Sequence, residues 1–258
     1  ALATRKDGST FHEALSLTIT PEGLLICVCQ DITQRKQIEQ ELKNKVEREQ
    51  LIFEITQRIR QSLDLATIFE TACTEIRKVV QADRVGIFKF YPDANFDDGE
   101  FVAESVSEGF PSAKRIKVHD HCFGANYASL YAQGRCFVVD DIYNHGLSLC
   151  HTEILAEFDV KANLVMPLLC CENLWGLLCI HQCATTRHWL TDEIDLTQQL
   201  ANQLAIAIQQ ADLYQKAQTE LLIRQQTEAQ LKQQLQQQRA LADIALQIRH
   251  LLRLEEML

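Results

Sequence analysis

Apolar residues recur along this chain in three distinct rhythms. Residues 1–34 hold short runs around turn-forming residues. KDGST carries a Gly turn, LSLTI alternates, and LLICVCQ is apolar almost throughout, which predicts a few short strands. This piece is too small to enclose a core of its own. DITQRK closes it, with Asp31 and Thr33 suited to begin a helix. From Arg35 to about Val80 apolar positions recur every three or four residues (Ile38, Leu42, Val46, Ile52, Ile55, Ile59, Leu63), which predicts helix. The first half of that helix is highly charged, with one narrow apolar stripe. Such a stripe suits a helix that projects from its domain and pairs with a copy of itself in a homodimer.

A core region follows, from about 51 to 212. Strands are predicted at RVGIFKFY (84–91), EFVAESV (100–106), CFVVD (136–140), NLVMPLLC (163–170) and LWGLLCIHQ (174–182). The last two are separated by Cys171, Glu172 and Asn173, short enough for a hairpin. Stretches 107–134 and 141–162 lack any rhythm, and irregular stretches of that length usually build a binding site. A helix after Arg187 carries a stripe of Ile194, Leu200, Leu204, Ile208 and Ala211. Helix, antiparallel strands and helix in that order predict an α+β sandwich.

Beyond Tyr214 the chain turns glutamine-rich, yet Leu221, Leu231, Leu235, Ile244 and Ile248 keep helical spacing. ALADIALQIRHLLRLEEML (240–258) also repeats LIFEITQRIRQSLDLATIF (51–69). Ile55 matches Ile244, Ile59-Arg60 matches Ile248-Arg249, and Leu63 and Leu65 match Leu252 and Leu254. The helix that opens the core region therefore begins again at the end. A piece from the middle of a tandem sensor array is the expectation.

Composition narrows the function classes. The 258 residues, 47% of them apolar, suffice for one ordinary domain with flanking pieces and exclude a disordered tail. A formal charge of −10 argues against a nucleic-acid partner, because phosphate recognition needs clustered Lys and Arg. No apolar run approaches the ~18 residues of a membrane span, and no signal peptide opens the chain. The ten cysteines lie scattered through apolar strands, with no C-x-x-C pair. They read neither as a secreted disulfide framework nor as a structural zinc site. Most are expected to be small buried apolar side chains in a reduced, cytoplasmic setting.

One stretch stands apart: VHDHCFG, residues 118–124, with a carboxylate, two imidazoles and a thiol. His119, Asp120, His121 and Cys122 are chemically able to bind a metal or attack a substrate. Along an extended segment neighbours alternate faces, however, so only some of them can converge on one ion.

Longer motifs carry a family resemblance. DITQRKQIEQEL, with KDGSTF upstream, resembles the C-terminal end of a PAS domain (1–34) running into its signalling helix (35–50). Residues 51–214 resemble a GAF domain of the cyanobacteriochrome kind, a cyanobacterial bilin photoreceptor related to phytochromes. DIYNHGLSLCHTEIL, VKANLVMPLLCCENLWGLLCIHQC, TRHWLTDEIDL and QLAIAIQQADLY carry that resemblance and cover essentially the whole domain. Cys150-His151 corresponds to the family's Cys-His pair, and Asp120-His121-Cys122-Phe123 matches the Asp-x-Cys-Phe motif of the dual-cysteine subgroup. The resemblance implies a central antiparallel sheet sandwiched by helices and flanked by long N- and C-terminal signalling helices. Residues 215–258 then form the linker helix leading into the next GAF domain.

It also implies a cofactor: a linear tetrapyrrole, phycocyanobilin or its isomer phycoviolobilin, held by a covalent thioether that forms autocatalytically. Cys150 is then the anchor, adding to the ethylidene group of ring A. Cys122 adds reversibly to the central methine carbon C10, which splits the conjugated system and moves absorption to violet or blue. Photoisomerisation at C15–C16 weakens that adduct and restores teal, green or longer wavelengths. Asp120 accepts hydrogen bonds from pyrrole N–H groups, His151 packs on the conjugated plane, and His181 lies near ring D. Tyr127 and Arg135 contact ring and propionate groups. His121, in the variable position, is an imidazole suited to help deprotonate Cys122. Such a module is a sensor rather than an enzyme. Helices at 35–65 and 195–258 would relay its signal to a downstream kinase, cyclase or chemotaxis module, none of which is present in the sequence. Two other readings compete: a cyclic-nucleotide GAF domain, whose Asn-Lys-x-Phe-Asp-Glu signature is missing, and a chromophore-free dimerisation module.

Overall fold

The computed structural model describes residues 1–91, 95–171 and 173–255, with the side chains of residues 121, 122, 125, 240, 242, 243 and 245–255 outside the description. Strands β1 (Leu2–Thr4), β2 (Thr10–Ile19) and β3 (Leu25–Asp31) form a three-stranded antiparallel sheet in that order. Leu15, Leu17, Ile19, Leu25 and Val28 on it are all exposed, as expected of strands too few to enclose a core. Cys27 and Cys29 are exposed with them, as is Cys171 farther along, and of the cysteines described as free only Cys73, Cys179 and Cys183 are buried, which corrects the expectation that most of the thiols are buried.

Helix α1 (Thr33–Ile59) starts where Asp31 Oδ1 accepts the Thr33 N–H at 2.9 Å. The periodicity predicts one helix to about Val80, but the structure breaks it into α1 and α2 (Leu65–Val80). The cause is local. Asp64 sits in an extended conformation and its side chain accepts from the Thr67 N–H at 2.8 Å, an N-cap that starts a new helix and outweighs continuation of the old one. The Ile38, Leu42 and Val46 stripe of α1 is exposed, whereas Ile55 and Ile59 are buried.

The larger sheet holds β4 (Arg84–Phe90), β5 (Asp98–Val106), β6 (Lys117–His119), β7 (Phe137–Val139), β8 (Ala162–Cys170) and β9 (Asn173–Gln182). Their order is β6-β5-β4-β9-β8-β7, all antiparallel, with the predicted hairpin joining β8 to β9. Alternation along β8 and β9 sorts their side chains between two cores. Leu164, Met166, Leu168, Leu178 and Ile180 face the helical layer, where Ile55, Ile68, Ile76, Leu200 and Leu204 meet them. Val165, Leu177 and Cys179 face the other side, against an aromatic cluster. Helix α6 (Thr191–Glu255) completes the helical layer with the predicted stripe and then runs on unbroken through the boundary expected near residue 214. Among the described residues, no helix is long and apolar enough to cross a membrane.

The stretches read as irregular contain order that periodicity did not reveal. α3 (His121–Asn126), α4 (Ala128–Ala132) and α5 (Leu149–Glu157) lie over the second face of the sheet. Helices of so few turns give no repeating stripe and owe their stability to packing rather than propensity. The VHDHCFG stretch is likewise not extended throughout, because β6 ends at His119 and α3 begins at His121.

A buried ion pair anchors the loops over this face. Arg84 Nε lies 2.9 Å from Glu104 Oε1, with both side chains almost fully buried. The Arg84 guanidinium also donates to the Phe158 and Pro111 carbonyls, and Glu104 accepts from the Ala113 and Lys114 N–H groups. One buried pair therefore fixes both the loop after β5 and the turn after α5.

Candidate functional site

Between the aromatic face of the sheet and the short helices lies a cavity enclosing about 640 Å³ of empty space, part of it open to solvent. Its walls are aromatic: Phe88, Phe90 and Phe101 from the sheet, Phe123 and Tyr131 from α3 and α4, and Phe158 after α5. Phe123 stacks on Phe90 with ring centroids 5.2 Å apart, and Tyr131 lies 5.2 Å from Phe123. These contacts seat α3 on the sheet. Gly124 allows α3 to approach the segment just before β5, since a Cβ there would stand 1.9 Å from Asp97 Oδ1.

Asp120 is the N-cap of α3, and its Oδ1 accepts from the Phe123 N–H at 3.0 Å. Asp120 also lines the cavity, and its Oδ2 lies 2.6 Å from His151 Nδ1. His151 was expected to pack on a ligand plane. In the structure its ring lies at the cavity wall, tied to Asp120 and 6.2 Å from the Tyr127 ring. Cys150 precedes it in the first turn of α5, half-buried, with its sulfur 3.4 Å from Ser148 Oγ. Cys150 is disulfide-bonded, so its thiol becomes available for addition only on reduction.

His181 lies on β9 at 2% exposure and lines the cavity. Burial, aided by the nearby Arg84 charge, pushes its pKa down to about 3, so the ring is neutral near pH 7. Cys179, two residues earlier on the same strand, also lines the cavity. Burial pushes its thiol up to about 12, which leaves it protonated and unreactive.

The structure thus brings Asp120, His151 and His181 to one cavity with Cys150 beside it. Tyr127 packs among Phe123, Phe137 and His151 rather than on the cavity wall. Arg135 is exposed, 5.3 Å from the Phe137 ring. Cys122 and His121 have their backbone in α3, but their side chains lie outside the described residues. Of the four residues His119, Asp120, His121 and Cys122, the two with described side chains have separate partners: His119 Nδ1 pairs with Asp98 at 2.8 Å, and Asp120 Oδ2 lies 2.6 Å from His151 Nδ1. Among the described residues no group of three or more His, Cys, Asp or Glu is placed to hold a metal ion.

Sequence reasoning missed Asn163, a buried polar residue on the cavity wall. Its signal was an amide inside the otherwise apolar run ANLVMPLL. Apart from Phe123, which belongs to the Asp-x-Cys-Phe motif, the aromatic residues of the cavity were missed for a different reason: they come from separate segments and no local spacing links them.

Comparison with known proteins places this geometry. The protein sll0041 of Synechocystis sp., whose name assigns it provisionally to the methyl-accepting chemotaxis proteins, is 39% identical over 184 residues, covering 71% of this chain and 18% of that protein. This chain thus spans about a fifth of that relative's length. The PixJ GAF domain of Thermosynechococcus elongatus, solved in its blue-light absorbing form, is 35% identical with a TM-score of 0.57, covering 61% of this chain and 92% of that one. A phycocyanobilin-bound GAF domain from a cyanobacterial phytochrome is 31% identical with a TM-score of 0.58, covering 65% and 96%. The family model for the GAF domain matches residues 64–208, more than half of the sequence and nearly all of the larger sheet with its helices, and the chain belongs to the GAF-domain family.

Proposed function

We propose that this chain is a photosensory module that holds a linear tetrapyrrole covalently and switches reversibly between a blue- or violet-absorbing state and a teal- or green-absorbing one. The observation that carries this reading is the aromatic cavity beside Cys150, with the Asp120–His151 pair on its wall. Flat aromatic walls suit a conjugated pigment, and Asp120 and His181 offer polar groups for its ring N–H and carbonyl groups. Similarity to a phycocyanobilin-bound domain and to a blue-light absorbing one supports the same reading. When bound, the pigment supplies light absorption, isomerisation at C15–C16 and electrophilic carbons for thiols.

The chain's own residues supply attachment and control. Cys150 provides the thioether. Cys122, in α3, provides the second, reversible thiol, and His121 next to it takes the thiol proton. Asp120 is held in place by His151 and by the Phe123 N–H, which leaves it oriented to accept from pyrrole N–H groups. His181, neutral and buried, serves the ring D end. Tyr127 backs His151, and Arg135 reaches a propionate from the surface. The pigment is phycocyanobilin, converted wholly or in part to phycoviolobilin.

Residues 1–34 are the end of a PAS domain, and 35–50 and 215–258 are linker helices. The exposed stripes Ile38, Leu42 and Val46 on α1 and Leu221, Leu231 and Leu235 on α6 would meet a second copy in a cytoplasmic homodimer. That dimer passes the signal to an output module of a longer parent, such as a kinase, cyclase or chemotaxis module. The test is the difference spectrum before and after illumination, with Cys122→Ala alongside. The substitution is expected to abolish the blue or violet state and leave a pigmented protein. A blue-absorbing state that survives it rules out the second-cysteine mechanism.

A further inference from the structure

Asn163 and His181 are directly paired across β8 and β9. Residues opposite each other in an antiparallel pair leave the sheet on the same face, so both side chains stand side by side at the cavity they line. Each is 2% exposed. Asn163 Oδ1 and His181 Nδ1 are buried, and neither has a hydrogen-bond partner among the described residues. Unpaired buried polar atoms cost stability, and every other β8 or β9 side chain on this wall (Val165, Leu177, Cys179) is apolar or behaves so. The fold itself therefore gains nothing from this pair. Its unmet needs are specific. Asn163 Oδ1 only accepts, whereas a neutral imidazole offers one donor and one acceptor.

We infer that Asn163 is a ligand-positioning residue that works with His181 to grip a terminal lactam ring of the bilin, an inference that rests on the bilin reading above. A lactam carries its N–H and C=O side by side on one edge. The N–H donates to Asn163 Oδ1, and the carbonyl accepts from His181 in its Nδ1–H tautomer. Both orphaned atoms are then satisfied by one ring. Because that ring turns when the neighbouring double bond isomerises, the grip holds in one photostate and is lost in the other. Asn163 consequently sets the colour and lifetime of one state and has no part in attachment.

The test expresses the full chain with phycocyanobilin biosynthesis and compares wild type with Asn163→Leu, which keeps the branching but removes the acceptor, and Asn163→Ser, which keeps an acceptor. Both variants are expected to carry covalent pigment. Asn163→Leu should shift the band of one photostate only and change its thermal return rate about tenfold, the scale of one hydrogen bond to a buried group, with Asn163→Ser between it and wild type. A pigmented Asn163→Leu with wild-type bands and return rate overturns the assignment, as does equal change in both photostates. If Asn163→Leu takes up no pigment, Asn163→Ser decides alone, by a one-state shift or by none. Loss of attachment in both variants overturns the assignment too, since it would make Asn163 a requirement for attachment. A wild-type chain that stays colourless overturns the bilin reading itself, a result distinct from all of these.

Discussion

His151 Nδ1 lies 2.6 Å from Asp120 Oδ2, and this contact joins the first turn of α5 to the N-cap of α3. The two helices carry Cys150 and Cys122, so one carboxylate both caps one cysteine-bearing helix and orients the other.

Separating those duties is straightforward. Asp120→Ala removes the cap and the His151 contact, and should destabilise the fold by about 1 kcal/mol or somewhat more. Asp120→Asn keeps a capping oxygen, so its unfolding midpoint in urea should stay near wild type. It should nonetheless shift the absorption of the pigmented protein, because a carboxylate acceptor becomes a neutral amide. Equal destabilisation by both substitutions would show that the charge, not the cap, holds α3.

Buried His181 gives the pigment-free chain a defined pH response. Its folded pKa is about 3 against an ordinary 6.5, so below pH 6.5 the unfolded chain binds the proton that the folded chain refuses. Its contribution is therefore nil above pH 6.5 and becomes increasingly destabilising as pH falls toward 3. The slope is up to ~1.4 kcal/mol per pH unit, or roughly 2 kcal/mol lost between pH 6.5 and 5. Denaturant titrations at pH 7.5 and 5.0 should show that loss for wild type and a smaller one for His181→Gln. Identical losses would locate the acid response elsewhere.

Glu104→Gln tests the anchor of the cavity loops. It leaves the Arg84 guanidinium buried without its counter-charge, and breaking one side of such a pair costs about 3–5 kcal/mol. Thermal unfolding should begin roughly 10 °C lower. Because Arg84 holds the Phe158 and Pro111 carbonyls, pigment uptake should fall as well. A variant as stable as wild type would mean that the aromatic packing alone fixes these loops.

Long-period features of the fold were legible in the sequence and short ones were not. The α6 stripe of Leu200, Leu204 and Ile208, and the β8–β9 hairpin, follow from periodicity that extends over many residues. The break before α2 depends on a single side-chain contact of Asp64, which no periodicity reports. α3, α4 and α5 are too short to repeat a stripe, and their positions are set by contacts such as Phe123 on Phe90 that join residues far apart in sequence. The same division holds at the site. Asp120, Cys150 and His151 sit in recognisable motifs, whereas Asn163, an isolated amide in an apolar run, gains a partner at the cavity only when β9 brings His181 beside it.

The most direct measurement of the central claim is covalent pigment on the denatured protein. The full chain is expressed with phycocyanobilin biosynthesis, run on a denaturing gel, and read by zinc-enhanced fluorescence beside Cys150→Ala and Cys122→Ala. A fluorescent band for wild type and Cys122→Ala, with its loss in Cys150→Ala, is the predicted result. A wild-type chain without fluorescence, or a Cys150→Ala band of undiminished intensity, would contradict the account.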